Sequence, residues 1–282
     1  MSVFHKLGVL LRPRTPSLKG VYEDFRRAAS GLDFEVILEK NSAEMIGAKS
    51  CVDFRQVCEQ SDILASIGGD GTLISLMRGA SEFNKPIFGV NMGRLGFLTS
   101  IKADCASEFL QKIKNNDFSL RPHLLLGGEI VGEKSQNLRC VNEFLITKRD
   151  VAGMISIEAK IDGKFFNKYR CDGLIVGTPT GSSAYNISAG GSIIYPHNRN
   201  VLLTPICAHS LTQKPLVLSD EFMLEFSVKE GSAQIVIDGQ EIIDFDAGAR
   251  FLVKALKENS SLIYEKERDY FAVLREKFGW GE

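Results

Sequence analysis

The stretch SIGGDGTLI, residues 66–74, decides how the first half of the chain is read. The apolar run DILASIGG (62–69) leads into it. From Thr72 onward Leu73, Leu76, Met77 and Ala80 fall at helical spacing. In an open parallel sheet a strand–glycine–helix junction lies at the carboxyl edge of a strand, where ligands bind. The following helix offers unpaired N–H groups and a positive dipole end to a phosphate. The spacing is neither G-x-G-x-x-G nor the Walker pattern G-x-x-x-x-G-K-[ST]. Asp70 sets the problem, because a carboxylate about 4 Å from a phosphate charge costs on the order of 4 kcal/mol at an effective dielectric constant of about 20. A plain tight turn, with Asp-Gly chosen for positive φ, accounts for the glycines without a ligand. If phosphate binds here, Asp70 either holds Mg²⁺ or faces a hydroxyl that attacks the phosphate, and both are phosphoryl-transfer roles.

Around this stretch strand and helix signals alternate. KLGVLL (6–11), FEVIL (34–38) and PIFGVN (86–91) have strand length and apolarity. SLKGVYEDFRRAASGL reads as a helix with Ser17 as its cap and Gly31 at its end. Asp104 to Asn116 reads as another, with Phe109, Leu110 and Ile113 on one face. This alternation predicts an α/β domain with a parallel sheet covered on both faces, over residues 1–118. From residue 119 to 264 the texture is β-rich. ISIEAKIDGKFF and FMLEFSVKEGSAQIVIDGQEIIDF alternate apolar and polar, with hairpin signals at Asp162-Gly163, Glu230-Gly231 and Asp238-Gly239. A closing helix from 265 to Phe278, within 265–282, is read as returning to the first domain.

The bulk numbers exclude several classes. A net charge of −1 gives no basic field for nucleic acid or anionic lipid. No apolar run reaches the roughly 18 residues of a membrane helix, and the N-terminus carries no cleavage pattern, so a cytoplasmic location is expected. The six cysteines, at 51, 58, 105, 140, 171 and 207, contain no C-x-x-C and do not cluster with the four histidines, which argues against zinc and disulfide frameworks.

Three further stretches carry chemistry. VNMGRLGFLTS (90–100) follows a strand and holds Gly93 and Gly96. In VNEFLI (141–146) Asn142 and Glu143 interrupt an apolar strand, and Asn suits the donor–acceptor edge of an adenine. CDGLIVGTPTGSSAYNISAGG (171–191) combines glycines, small hydroxyls and Tyr185 behind the strand LIV; such a segment can line a tight polar pocket, with the tyrosine as a face for a base.

Together and in this order, GGDGT (68–72), NMGRLGFL (91–98), NE (142–143) and DGLIVGTPTGSSAYNISAGG (172–191) resemble the NAD kinase family. TPICAHSL (204–211), DGQ (238–240) and LREKFGW (274–280) extend the likeness over nearly the whole chain. GGDGT alone is shared with lipid kinases and phosphofructokinases; the 172–191 segment is specific. The resemblance implies a Rossmann-like N-terminal domain, a β-sandwich-like NAD-binding domain, and ATP-dependent phosphorylation of the 2′-hydroxyl of the adenosine ribose of NAD, with a divalent metal, giving NADP. It implies that Asp70 activates that hydroxyl, and that Gly68, Gly69, Gly71, Thr72, Asn91 and Gly93 form the phosphate side. Asn142 and Glu143 would contact the adenosine half, and Asp172 would lie near the nicotinamide riboside. Thr180, Ser183, Ala184, Tyr185, Ser188 and Gln240 would surround the dinucleotide. Arg170 goes with preference for NAD over NADH, and members are usually homodimers or homotetramers. Ser183 stands where Thr is usual, and Ser192 and Ala208 where Pro is usual; each leaves the polar groups with proposed roles in place. No dedicated metal site is assigned, and Asp70 is left as either hydroxyl-facing or Mg²⁺-bound. A lipid or sugar kinase and a non-catalytic dinucleotide-binding module are the competing readings, the first weakened by the lack of a basic amphipathic segment.

Overall fold

The computed structural model describes residues 4–49, 52–93, 96–132, 135–151, 153–245 and 248–281, apart from the side chains at 258 and 259. Cys51, Arg94 and Leu95 of the stretches above lie outside the described residues. In chain order the elements are β1 (Lys6–Leu11), α1 (Lys19–Ser30), β2 (Glu35–Leu38), α2 (Lys40–Ile46), α3 (Phe54–Gln60), β3 (Ile63–Gly68), α4 (Asp70–Gly79), β4 (Ile87–Asn91), β5 (Ile101–Lys102) and α5 (Ala106–Lys114). The β-rich stretch follows with β6 (Ser119–Val131), β7 (Gln136–Cys140), β8 (Glu143–Lys148), β9 (Ile155–Ile161), β10 (Lys164–Cys171), β11 (Gly173–Gly177), α6 (Tyr185–Ser188), β12 (Asn200–Ile206), β13 (Leu216–Ser219), β14 (Leu224–Glu230), β15 (Ala233–Ile237), β16 (Glu241–Phe245) and β17 (Arg250–Tyr264). Helix α7 (Tyr270–Phe278) comes last. The chain divides into two compact units, residues 1–122 with 260–282, and residues 123–259.

In the first unit β1 pairs in parallel with β2 and β3, β3 with β4, and β4 with β5 and with Leu262 of β17. The strand order β2-β1-β3-β4 reverses direction between β1 and β3. That switch point is where open α/β sheets bind ligands, at the carboxyl ends of the strands. The chain leaves it at Arg12, whose N–H donates to the Ile67 carbonyl at 2.9 Å, and at Gly68–Gly69. Every residue of β3 is buried, as a strand covered on both faces requires. The core joins Leu7, Val9, Ile67, Phe88, Phe109 and Ile263, with Phe88 and Phe109 edge to face at 5.4 Å.

Several local expectations change. Ser17 lies in a 3-10 turn, Pro16–Leu18, and α1 starts after Leu18 with no side-chain cap. The short helices α2 and α3 have no counterpart in the periodicity reading. The Glu39 carboxylate caps α2, accepting the Asn41 and Ser42 N–H groups, and Asp53 with Gln56 forms a capping box on α3. The closing helix starts at Tyr270, capped by Asp269, rather than at 265.

In the second unit, β8, β11, β12, β13, β15 and β16 form an antiparallel sheet, ordered β13-β12-β11-β8-β15-β16. Strands β10, β9, β14 and the start of β17 form another, also antiparallel. Phe144, Ile146, Leu174 and Val176 from the first sheet share one core with Ile157, Phe226, Phe251 and Val253 from the second, so the sheets stack as a sandwich. Asp162-Gly163 and Asp238-Gly239 are hairpin turns with positive φ at both positions (49° and 76°; 49° and 66°). Glu230-Gly231 is not a hairpin turn. Strand β14 pairs with β9 and β17, whereas β15 pairs with β8 and β16, so the chain changes sheets there.

Candidate active site

Asp70 is the first residue of α4, two positions before Thr72, where the sequence reading begins the helical spacing, with Gly69 as the helix cap. A carboxylate in a helix's first turn is favoured by the dipole, typically by about 0.3–1 kcal/mol. The charge is also held directly. One Asp70 oxygen accepts the Phe97 N–H at 2.7 Å, and the other accepts those of Thr99 at 2.9 Å and Leu98 at 3.3 Å. The negative charge is therefore set in a cradle of peptide N–H groups, and the anion that these donors face is Asp70 itself. Gly96 completes the fit, since a Cβ there would lie 2.1 Å from the Asp70 carboxylate. Gly68 is required for the same steric reason against Thr72, whereas a Cβ at Gly69 or Gly93 would meet open space.

Asn91, at the end of β4, uses its side chain as a strut. Its amide donates to the Thr99 hydroxyl at 3.0 Å and its oxygen accepts the Gly93 N–H at 2.9 Å. The Arg268 guanidinium, which sequence reasoning placed only within a helix start, donates to the carbonyls of Phe97 at 2.7 Å and Thr99 at 2.8 Å. It lies 4.2 Å from the centre of the Tyr264 ring. Burial pushes the Tyr264 phenol above its ordinary range; the Arg268 charge opposes the shift and Asp70 adds to it. The tyrosine beside this loop is therefore neutral.

In the second unit Asn142 and Glu143 sit at the start of β8, against the end of β11. The Asp238 carboxylate of the β15–β16 turn accepts the N–H groups of Val141, Asn142 and Glu143 at 3.1, 2.7 and 3.2 Å. Thr178 closes the other side, its hydroxyl donating to the Val141 carbonyl and its N–H to that of Asn142 at 2.8 Å. Gly181 must be glycine, because a Cβ would come within 2.3 Å of the Asn142 carbonyl. The Glu143 carboxyl is buried and its Oε2 has no hydrogen-bond partner among the described residues. Burial first, and the Asp238 charge second, push its pKa up to about 8, so at neutral pH it is largely a protonated donor. A neutral acid can face a polyanionic nucleotide without charge repulsion.

Within 171–191 the hydroxyls and amides divide into two groups. Ser182 bonds to the backbone of Pro179 and Ile194, and Asn186 to Ser182, Ser192 and Thr204; both are buried and hold the loop. Gly191 is tied to this, since a Cβ would sit 2.1 Å from the Asn186 oxygen. Tyr185 and Ser188, one turn apart on α6, are exposed, and Ser183 and Ala184 are half-buried. Thr180 is buried with its hydroxyl 2.9 Å from His123 Nδ1, a partner that no local motif signals. Gln240 is exposed in the turn that carries Asp238. Asp172 immediately precedes β11, roughly 16 Å from Gly177 at about 3.3 Å per residue, and Arg170 lies two residues earlier, near the end of β10. There Asp172 pairs with Lys148 at 2.8 Å, and the Arg170 carbonyl accepts the His209 N–H. The predicted residues of this unit thus form two groups, one about the Gly177 end of β11 and one where β10 passes into β11.

The α/β unit with its glycine-flanked carboxylate at a sheet switch point, joined to a β-sandwich, is that of a phosphotransferase of the GGDGT type. Residues 21–118 match the ATP-NAD kinase N-terminal domain and residues 141–264 the ATP-NAD kinase C-terminal domain. The chain belongs to the NAD kinase family. It is 49% identical to the NAD kinase of Wolinella succinogenes, over all of this chain and 98% of that one. It is 50% identical to that of Helicobacter hepaticus, over 98% and 96%. Among solved structures, an Archaeoglobus fulgidus NAD kinase in complex with ATP aligns with TM-score 0.74 and 26% identity over 96% of this chain and 98% of that one. Yeast NADH kinase complexed with NADH shares the fold at TM-score 0.89 and 24% identity, over 99% and 89%. Among the described residues no helix is long and apolar enough to cross a membrane.

Proposed function

We propose that this enzyme transfers the γ-phosphoryl group of ATP to the 2′-hydroxyl of the adenosine ribose of NAD, and that Asp70 directs the attack. The new bond joins the ribose 2′ oxygen to the γ phosphorus, the bond from that phosphorus to the ADP oxygen breaks, and ADP leaves with the electron pair. Such transition states are loose, so positioning and charge neutralisation dominate. A carboxylate is a weak base toward an alcohol; Asp70 orients the hydroxyl and takes its proton late. The observation that carries this reading is the fixed Asp70 carboxylate, held by three N–H groups at the start of α4 beside Gly68, Gly69, Gly71 and Thr72. On this reading Asn91 and Gly93 shape the phosphate side, and residues 119–264 form the NAD-binding domain. There Asn142 and protonated Glu143 take the adenosine half, Thr180, Ser183, Ala184, Tyr185, Ser188 and Gln240 surround the dinucleotide, and Asp172 with Arg170 serves the nicotinamide end.

A magnesium ion fits as the counter-ion of the triphosphate, and Asp70 is the carboxylate of the GGDGT segment that could join it, since one of its oxygens accepts a single N–H bond. Mg²⁺ commonly binds through substrate phosphates with one or two carboxylates. A cytoplasmic homodimer or homotetramer is the assembly this reading includes. The test is incubation of the purified protein with ATP, Mg²⁺ and NAD, with NADP read by an NADP-specific dehydrogenase. Steady NADP formation supports the reading; none, with sugar or lipid phosphorylation instead, rejects it.

A further inference from the structure

We propose that Arg268 is a positioning residue for Asp70, acting through the peptide backbone of residues 97–99. The inference rests on the catalytic reading of Asp70. The loop's two polar edges face two opposite charges. Its N–H groups at Phe97, Leu98 and Thr99 point to the Asp70 carboxylate, and its carbonyls at Phe97 and Thr99 receive the two Arg268 Nη donors. The Phe97–Leu98 peptide is bracketed directly: its oxygen accepts from Arg268 and its N–H donates to Asp70. Hydrogen bonds in such a chain polarise one another, so the guanidinium strengthens the cradle without touching the carboxylate.

Arg268 is itself fixed. The segment that carries it is tied down on both sides by Lys112–Glu265 at 2.7 Å, Lys266–Asp117 at 2.7 Å and the Asp269 cap of α7. The Tyr264 ring holds its guanidinium plane, and Phe278 of α7 packs on Phe97 at 5.7 Å between ring centres. The planar fork of arginine suits two carbonyls two residues apart; a lysine ammonium is a single point donor. This segment is a strap that sets the 97–99 loop, and the loop sets the acid.

The test is a double-mutant cycle read as kcat and KM. Arg268→Ala is expected to lower kcat by about 10- to 100-fold, the range that an ångström-scale misplacement produces, with KM for NAD and ATP changed far less. Arg268→Lys should fall between Arg268→Ala and wild type, and millimolar guanidinium should restore part of the Arg268→Ala rate, which loss of a fold contact alone would not allow. In an Asp70→Asn background Arg268→Ala should cost no more than about twofold, the scatter of independent sites. Equal fold losses in both backgrounds, or wild-type kcat in Arg268→Ala, overturn the positioning role while leaving Asp70 intact. Near-normal turnover in Asp70→Asn overturns the catalytic reading and this proposal with it. If Arg268→Ala does not fold, the cycle is run with Arg268→Lys under the same criteria.

Discussion

The Asp238 carboxylate accepts the Asn142 N–H at 2.7 Å across 96 residues of sequence, and with it the neighbouring N–H groups of Val141 and Glu143. A turn residue of one hairpin thereby fixes the polar entry to strand β8. Asp238 also holds φ near 49°, which Asn tolerates and Ala does not favour. Asp238→Ala should therefore destabilise the protein by about 1–3 kcal/mol through unsatisfied buried N–H groups, and Asp238→Asn by less. Urea unfolding of the two variants measures this, and KM for NAD should rise in the same order.

Glu143 makes stability depend on pH. Its folded pKa lies at about 8 against an ordinary 4.5, so between those values the folded state binds a proton that the unfolded state has lost. Its contribution is therefore fully present below about pH 4.5 and is lost as pH rises through 8, at up to about 1.36 kcal/mol per pH unit. Glu143→Gln removes this slope. Denaturant unfolding at several pH values should show the variant gaining on wild type as pH rises; parallel profiles would refute the assignment.

Gly96 and Gly69 should respond differently to a single methyl group. Gly96→Ala drives a Cβ into the Asp70 carboxylate, so stability should fall by about 1–3 kcal/mol and kcat with it. Gly69→Ala meets open space at φ −133°, so stability should change by no more than about 1 kcal/mol. If a phosphate lies against Gly69, KM for ATP should nevertheless rise about fivefold, equivalent to ~1 kcal/mol. Thermal melts paired with ATP titrations separate the two effects.

The sequence makes visible what local chemistry determines. Strands β1 to β4, the presence of α4 and the Asp-Gly turns at 162–163 and 238–239 follow from apolar runs, helical spacing and turn chemistry. The resemblance supplies the family. Helices α2 and α3 are too short for a periodic signal; the Asp53-x-x-Gln56 box was a readable cue, whereas a Glu cap such as Glu39 is not a usual one. Glu230-Gly231 looks like a hairpin because local pattern cannot tell which sheet the next strand joins. The supports of the site, Asp238 beneath Asn142 and Arg268 beneath the 97–99 loop, were illegible for the same reason. Each acts across about a hundred residues or more, and the Arg268–Thr99 pair spans 169. The charge of Asp70, which looked out of place among glycines, is placed by donors that arrive from residues 97–99.

The most direct measurement is the kcat of Asp70→Asn alongside its dissociation constant for NAD, with NADP read by the coupled dehydrogenase. Asp70→Asn should lose about 10²-fold or more in kcat, with NAD binding close to wild type. Near-normal turnover in that variant would contradict the catalytic role of Asp70.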